Sequence, residues 1–223
     1  MSNFISKSSA FESRRPAIAD RKFTSEAVED TIQKVKCDIA DPELAWMFEN
    51  CFPNTLDTTI EYEIIDGKPD TFVITGDINA MWLRDSTAQV WPYLPLTLKD
   101  ESLKKLISGV INRQTRCILL DPYANAFYRE PIFGDWENDQ TAMKPGIHER
   151  KWEIDSLCYA VRLAHGYWKT TGDSSCFDQN WKNAMNLVVK TFRQQQRKQD
   201  DGPYCFLRKS SKSTDVMPGS GYG

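Results

Sequence analysis

Most of the chain alternates apolar and polar residues at a helical period. Val28, Ile32, Val35 and Ile39 fall three or four residues apart, which predicts a helix capped by Thr24 or Ser25 and running through Ala40. Asp41-Pro42 restarts the pattern, because aspartate suits the cap and proline the first helical position. This second helix carries Leu44, Trp46, Met47, Phe48 and Cys51 and stops near Pro53. A third, short helix covers 85–96 and bends at Pro92. The stretch 100–120 lines up Leu103, Leu106, Ile107, Val110, Ile111 and Ile118, and Asp121-Pro122 ends it. A fifth helix, 153–171, has the stripe Ile154, Leu157, Cys158, Val161, His165 and Trp168 and closes on Gly172. A sixth covers 178–199.

Two segments break this period. Residues 59–65 and 70–75 are β-branched and aromatic on either side of Asp66-Gly67-Lys68-Pro69, which predicts a β-hairpin. Residues 121–148 read as one long loop, and a loop of that length is functional or disordered. Its aromatics (Tyr123, Phe127, Tyr128, Phe133, Trp136) argue against disorder. Residues 1–22 are expected to be a flexible lead-in and 23–223 a mainly α domain, with a turn-like end at Met217–Gly223. No repeat appears at solenoid periods. Helix pairs joined to long functional loops are nonetheless the way α/α toroids are made.

Composition narrows the function classes. Of 223 residues, 40% are hydrophobic and 26% charged, with a formal net charge of −3, as in a soluble globular protein. No basic stripe suggests nucleic acid; Arg208-Lys209 with Lys212 nearby is only a short basic group. No apolar run reaches the roughly 20 residues that span a bilayer, so no membrane partner is expected. The polar stretch from Met1 to Lys22 lacks the apolar run of a secretory signal, which makes a cytoplasmic location the default. The six cysteines contain no CxxC pair and read as buried free thiols. His148 and His165 form no constellation with them, so neither a metal nor a cofactor is expected. His165, on an apolar stripe, reads as a core histidine.

Candidate chemistry gathers in two clusters. The first is Gly76-Asp77-Ile78-Asn79-Ala80-Met81-Trp82-Leu83-Arg84-Asp85-Ser86; the second is Glu149-Arg150-Lys151-Trp152-Glu153-Ile154-Asp155-Ser156. An indole beside carboxylates and a guanidinium suits a sugar, whose C–H face lies on the aromatic while its hydroxyls bond to the charged groups. Two such clusters suggest one pocket built from distant parts of the chain. A plainer reading stands beside it: Asp85 or Ser86 caps a helix, Arg84 pairs with Asp77, Trp82 packs in the core, and Glu153 and Asp155 answer a helix dipole. Asp121-Pro122-Tyr123-Ala124-Asn125-Ala126-Phe127 can equally be a loop anchor. Asp57 and Thr58 read as capping groups, and Asp135, Glu137 and Asp139 as solvated.

The strings Cys51–Thr59, Gly76–Ser86, Asp121–Phe127 and Glu149–Tyr159 together resemble glycoside hydrolase family 125, the metal-independent exo-α-1,6-mannosidases. The resemblance covers roughly residues 24–215. It implies an (α/α)6 toroid of helical hairpins with one inserted β-hairpin, an inverting mechanism, no cofactor, and release of terminal mannose from α-1,6-linked glycans of the N-glycan type. It also implies that the chain is the N-terminal part of such a domain, because about half the helices of a toroid are present. The catalytic acid and base are then expected beyond Gly223. Trp82, Arg84, Asp85, Asn125, Trp152, Glu153 and Asp155 become the expected substrate-binding residues. Two alternatives stay open: a mannoside-binding fragment or decayed remnant without catalysis, and another toroid enzyme such as a lyase or phosphorylase.

Overall fold

A computed structural model describes residues 11–208; the tail Met217–Gly223 and the first ten residues of the expected lead-in lie outside the described residues. The chain divides after Ile60 into two compact units.

The first unit holds α1 (Glu26–Asp38) and α2 (Pro42–Cys51). Each begins where the sequence predicts a cap: Ser25 Oγ accepts from the Val28 amide, and the Asp41 carboxylate accepts from those of Glu43 and Leu44. The described end of the lead-in is tied down. Arg15 Nε donates to Asp57 Oδ2 at 2.7 Å and its Nη1 to Glu29 Oε2 at 2.8 Å. Arg21 also reaches Glu29, at 3.0 Å. Asp57 sits in a single π-helical turn, Thr55–Thr59. It is buried as the partner of Arg15 rather than serving as a cap. The Arg15 hydrogen bonds hold the Glu29 carboxyl below the usual carboxylate range.

The second unit is built around the longest helix. The predicted hairpin forms as β1 (Ile60–Ile65) and β2 (Lys68–Val73), turning tightly on Asp66 and Gly67. The predicted bent helix is α3 (Leu83–Val90) followed by a 3-10 segment, Trp91–Leu98, which contains Pro92 and Pro95. Then come α4 (Glu101–Leu120), α5 (Ile154–Thr171) and α6 (Gln179–Gln195). β2 lies across α4 so closely that Thr71 Oγ1 donates to the Leu106 carbonyl at 2.8 Å. Asp70, buried on β2, takes Arg113 at 2.5 Å and Arg116 at 2.9 Å from the same helix. On another side of α4, the Gln114 amide donates to Leu83 O, Ser86 Oγ and Thr87 Oγ1, fixing α3.

The core between α3, α4, α5 and α6 contains Leu83, Ile118, Phe127, Ile147, Leu157 and Val188. The buried face of α5 is not the predicted stripe. Ser156, Leu157, Ala160, Leu163, Ala164 and Tyr167 face inward, while Ile154, Cys158, Val161, His165 and Trp168 are exposed. Ser156, Ala160 and Ala164 on this face let α5 approach its neighbours closely, while Leu157, Leu163 and Tyr167 fill the core. His165 is therefore a surface residue, 6.1 Å from the Trp168 ring. All six cysteines are free thiols, but only Cys117 and Cys176 are buried; Cys37, Cys51 and Cys158 belong to predicted apolar patterns yet lie exposed.

The region 121–148 is not wholly loop. Three very short strands, β3 (Met81–Trp82), β4 (Ala126–Phe127) and β5 (Ile147–Glu149), form an antiparallel sheet in that order. Met81 lies opposite Phe127 and Trp82 opposite Ala126; Ala126 in turn lies opposite Glu149. Farther on, Gln140 and Leu207 exchange backbone hydrogen bonds of 2.9 and 3.2 Å. The segment 204–208 thereby straps the long connection from behind.

The close crossing of β2 over α4 makes a direct prediction. A Cβ at Gly109 would come within 2.3 Å of Thr71 Oγ1 and 3.1 Å of the Thr71 amide nitrogen. In an open helix Gly→Ala stabilises. Here Gly109→Ala should destabilise by about 1–3 kcal/mol, the cost of overpacking, as read by urea denaturation. An unchanged or raised midpoint would mean that the crossing is looser than described.

Candidate functional site

The small sheet sets the site. Gly76 adopts a left-handed conformation (φ +60°), and Thr75 and Ala80 close the turn through a 2.9 Å backbone hydrogen bond. That turn delivers β3 beside β4, so Trp82 ends a strand and Arg84 and Asp85 open α3. β5 exits through Glu149 toward the start of α5, where Glu153 is the N-cap residue and Asp155 lies in the first turn. Both clusters therefore leave the same three-stranded sheet.

They meet at Arg84. Its Nη1 donates to Asp155 Oδ2 at 2.9 Å and lies 3.5 Å from Glu153 Oε2; its Nε lies 3.5 Å from Asp85 Oδ2. The expected partner Asp77 is exposed in the turn instead. One guanidinium thus faces three carboxylates, and Lys151 reaches Glu153 only at 3.9 Å. The side chains of Arg84, Asp85, Glu153 and Asp155 remain 29–40% exposed, so solvent and ligand can reach the cluster. Asp85 Oδ2 and Glu153 Oε2, which face Arg84 at 3.5 Å, and Asp155 Oδ1 are buried and make no hydrogen bond of good geometry within the chain. The exposed remainder of these carboxylates offers acceptors suited to hydroxyl groups. Burial raises the Glu153 carboxyl above the usual range, the Asp155 charge adds to that rise, and the Arg84 charge opposes it. The hydrogen bond to Asp155 raises the Arg84 guanidinium further and keeps it charged.

The two tryptophans part company. Trp82 is half-buried, its ring edge-on to His148 at 5.0 Å. Trp152 is buried among Tyr123, Tyr204 and Phe206; its amide donates to Tyr204 Oη at 2.8 Å. Of the two indoles, Trp82 is the more accessible, and Trp152 is enclosed by its aromatic neighbours. Asn125 is buried, and its amide is already used: Nδ2 donates to Glu149 Oε2 at 2.5 Å, and Oδ1 accepts from the Lys151 amide at 3.2 Å. Asp121 is the loop anchor. It accepts from the Tyr123 amide at 2.9 Å and pairs with Arg150 at 2.9 Å and Lys144 at 3.0 Å. Asp139, expected to be solvated, is buried; Asp135 and Glu137 are exposed.

Sequence reasoning missed His148, which sits between Trp82 and Tyr128 with its Nδ1 buried and unpartnered. Burial lowers its pKa and keeps the ring neutral. The Ile147-His148-Glu149 run is too short to show a strand period, so nothing flagged it. A cavity of about 880 Å³ lies elsewhere, between Arg193 and Pro203 at the end of α6, and contains none of these residues. Among the described residues, no group of three or more His, Cys, Asp or Glu side chains is arranged to hold a metal ion, and no helix is long and apolar enough to cross a membrane.

A helical frame that presents an indole edge and a guanidinium ringed by carboxylates belongs, by comparison with known proteins, among the glycoside hydrolases. The profile of metal-independent α-mannosidases matches residues 41–223, and the chain belongs to that family, glycoside hydrolase family 125. It is 40% identical to a solved metal-independent α-mannosidase from Streptococcus pneumoniae, captured in a non-productive complex with α-1,6-mannobiose. That match has a TM-score of 0.78 and covers 91% of this chain and 47% of that one. The meiotically up-regulated gene 157 protein of Schizosaccharomyces pombe is 38% identical over 227 residues, covering 94% of this chain and 45% of its own length. The chain spans about half the length of these relatives.

The Glu153 environment predicts a pH-dependent effect on stability. Its folded pKa lies above the unfolded value, so the ionised form is penalised in the fold. That penalty is present above the folded pKa and disappears as pH falls through it and the group takes up a proton. Glu153→Gln should raise the thermal midpoint at neutral pH by about 1–2 °C, a small effect because the group is partly solvated. The gap from wild type should close as the pH is lowered through the carboxylate range. A midpoint that drops at neutral pH would show that the ionised carboxylate is favoured by the fold.

Proposed function

We propose that this chain supplies the substrate-binding part of an inverting exo-α-1,6-mannosidase built on an (α/α)6 toroid, and that its ligand is the terminal mannose of an α-1,6-linked glycan of the N-glycan type. The observation that carries the reading is the ion-paired junction at Arg84, where Asp155 at 2.9 Å and Glu153 at 3.5 Å join the two sequence clusters. Sugar hydroxyls are donors and acceptors together. The part-exposed carboxylates of Asp85, Glu153 and Asp155 accept from them, and Arg84 donates to them. Trp82 offers the apolar surface for a ring C–H face.

Inversion requires an acid that protonates the glycosidic oxygen and a base that activates water on the opposite face, with carboxyl groups about 6.5–9.5 Å apart. Asp85, Glu153 and Asp155 all turn toward one guanidinium, within 2.9–3.5 Å of it. Such grouping suits grip rather than attack from two sides. Asp85, Glu153 and Asp155 are therefore binding groups, and the acid and base are placed outside the described residues. Asn125 and Trp152 are positioning groups, because both are buried and engaged within the chain.

The test is release of mannose from α-1,6-mannobiose in EDTA, by this chain and by the full-length product of its gene. Asp155→Asn in the active form should lower kcat/KM by roughly 10- to 100-fold, the size of one lost charge-assisted hydrogen bond. No turnover by the full-length product, or turnover that needs a metal, removes the reading. The half-length match to the relatives favours a second outcome for this chain alone, mannoside binding without cleavage. Binding detected without free mannose would identify it.

A further inference from the structure

We propose that Arg208 is a positioning residue for the Arg84 cluster, acting through Glu149 and Asn125. The inference rests on the reading of that cluster as a sugar site.

Arg208 belongs to the strap 204–208, far along the chain from both clusters, yet its side chain is only 6% exposed. Its guanidinium lies 3.8 Å above the Trp136 ring and 5.4 Å from Phe206. Its Nε is 3.2 Å from Asp139 Oδ2, and its Nη2 donates to Glu149 Oε1. A cation so enclosed needs compensating anions, and these two carboxylates supply them.

Glu149 passes the connection on. Its second oxygen, Oε2, accepts from Asn125 Nδ2 at 2.5 Å. Asn125 is bonded to both segments that carry the site. Its carbonyl accepts from the amide of Leu83, the residue before Arg84, at 3.1 Å. Its Oδ1 accepts from the amide of Lys151, two residues before Glu153, at 3.2 Å. Its own amide donates to the Glu149 carbonyl at 3.2 Å. Arg208 therefore sets the Glu149 carboxylate, the carboxylate sets the Asn125 amide, and Asn125 sets the spacing between Arg84 and the Glu153–Asp155 pair. The backbone exchange between Gln140 and Leu207 holds the strap in register while this happens.

The experiment compares Arg208→Met, Arg208→Lys and Glu149→Gln with wild type, reading the affinity for α-1,6-mannobiose and the amide hydrogen exchange of Leu83, Asn125 and Lys151. Arg208→Met should weaken mannobiose binding tenfold or more and speed exchange at those three amides at least tenfold, with exchange in the middle of α4 unchanged. Arg208→Lys, which keeps a cation for Glu149, should recover binding to within about threefold of wild type. Glu149→Gln, which removes the charge but keeps the side chain's shape, should reproduce most of the loss. Adding Arg208→Met to it should then cost little more, as expected for two residues on one path. Affinity and exchange unchanged in Arg208→Met, or full additivity in the double variant, overturns the proposal. Should Arg208→Met fail to fold, unaltered exchange in Glu149→Gln overturns it equally. Should wild type bind no mannobiose, the sugar-site reading fails, and the exchange rates alone then decide whether Arg208 positions the two segments.

Discussion

A strand of two residues cannot hold itself, and the site stands on two of them. β3 and β4 each contribute only two residues, so their placement depends on what their neighbours bond. Asn125 meets that need with both ends of its side chain and both of its backbone groups. Buried amide groups are costly when unpaired, so a residue that satisfies four bonds at one point fixes three chain segments together. The register it enforces brings the exits of β3 and β5 to the same edge. Arg84 then lies within reach of Asp155 without any long side chain having to search for its partner.

The electrostatics at that edge are unbalanced by construction. One guanidinium serves three carboxylates, while the neighbouring cations have partners of their own: Arg150 on Asp121 and Arg208 on Asp139 and Glu149. The surplus is of acceptors. Surface ion pairs contribute little to stability when fully solvated. A partly buried group of this kind costs more than it returns unless donors complete it. On the proposed reading, a neutral ligand rich in hydroxyl groups would complete it without bringing charge.

The helices were legible because their start signals are chemical as well as periodic. Ser25, Asp41, Asp100 and Asp178 all accept backbone amides at helix N-termini. The buried face of α5 was not legible, because that helix carries two apolar faces. Large apolar residues fall on both, and only the neighbouring helices decide which is inside. The meeting of two charged clusters could be inferred from composition, since an indole, an arginine and acids recur in both. Their linkage could not. The sheet that joins them consists of runs too short to alternate, and Arg208 looks like half of a basic pair until Trp136 and Asp139 fold against it. Trp152 misled for a related reason: sequence shows that a tryptophan is near acids, but not which of its sides Tyr123 and Tyr204 already cover.

Glu153 shows how stability and ligand recognition are set against each other in so small a space. As the N-cap residue of α5 it is near the positive end of a helix, which favours a charged carboxylate. Yet its side chain makes no capping hydrogen bond, and burial beside Asp155 pushes its pKa upward. A residue chosen for the fold alone would accept from the helix amides or give up its charge. Glu153 makes no such bond, and its Oε2 instead faces Arg84 at 3.5 Å without a hydrogen bond of good geometry. Strain of this kind is tolerated where the surrounding structure over-determines it. The Asn125 hub and the strap behind it provide that surplus of constraint.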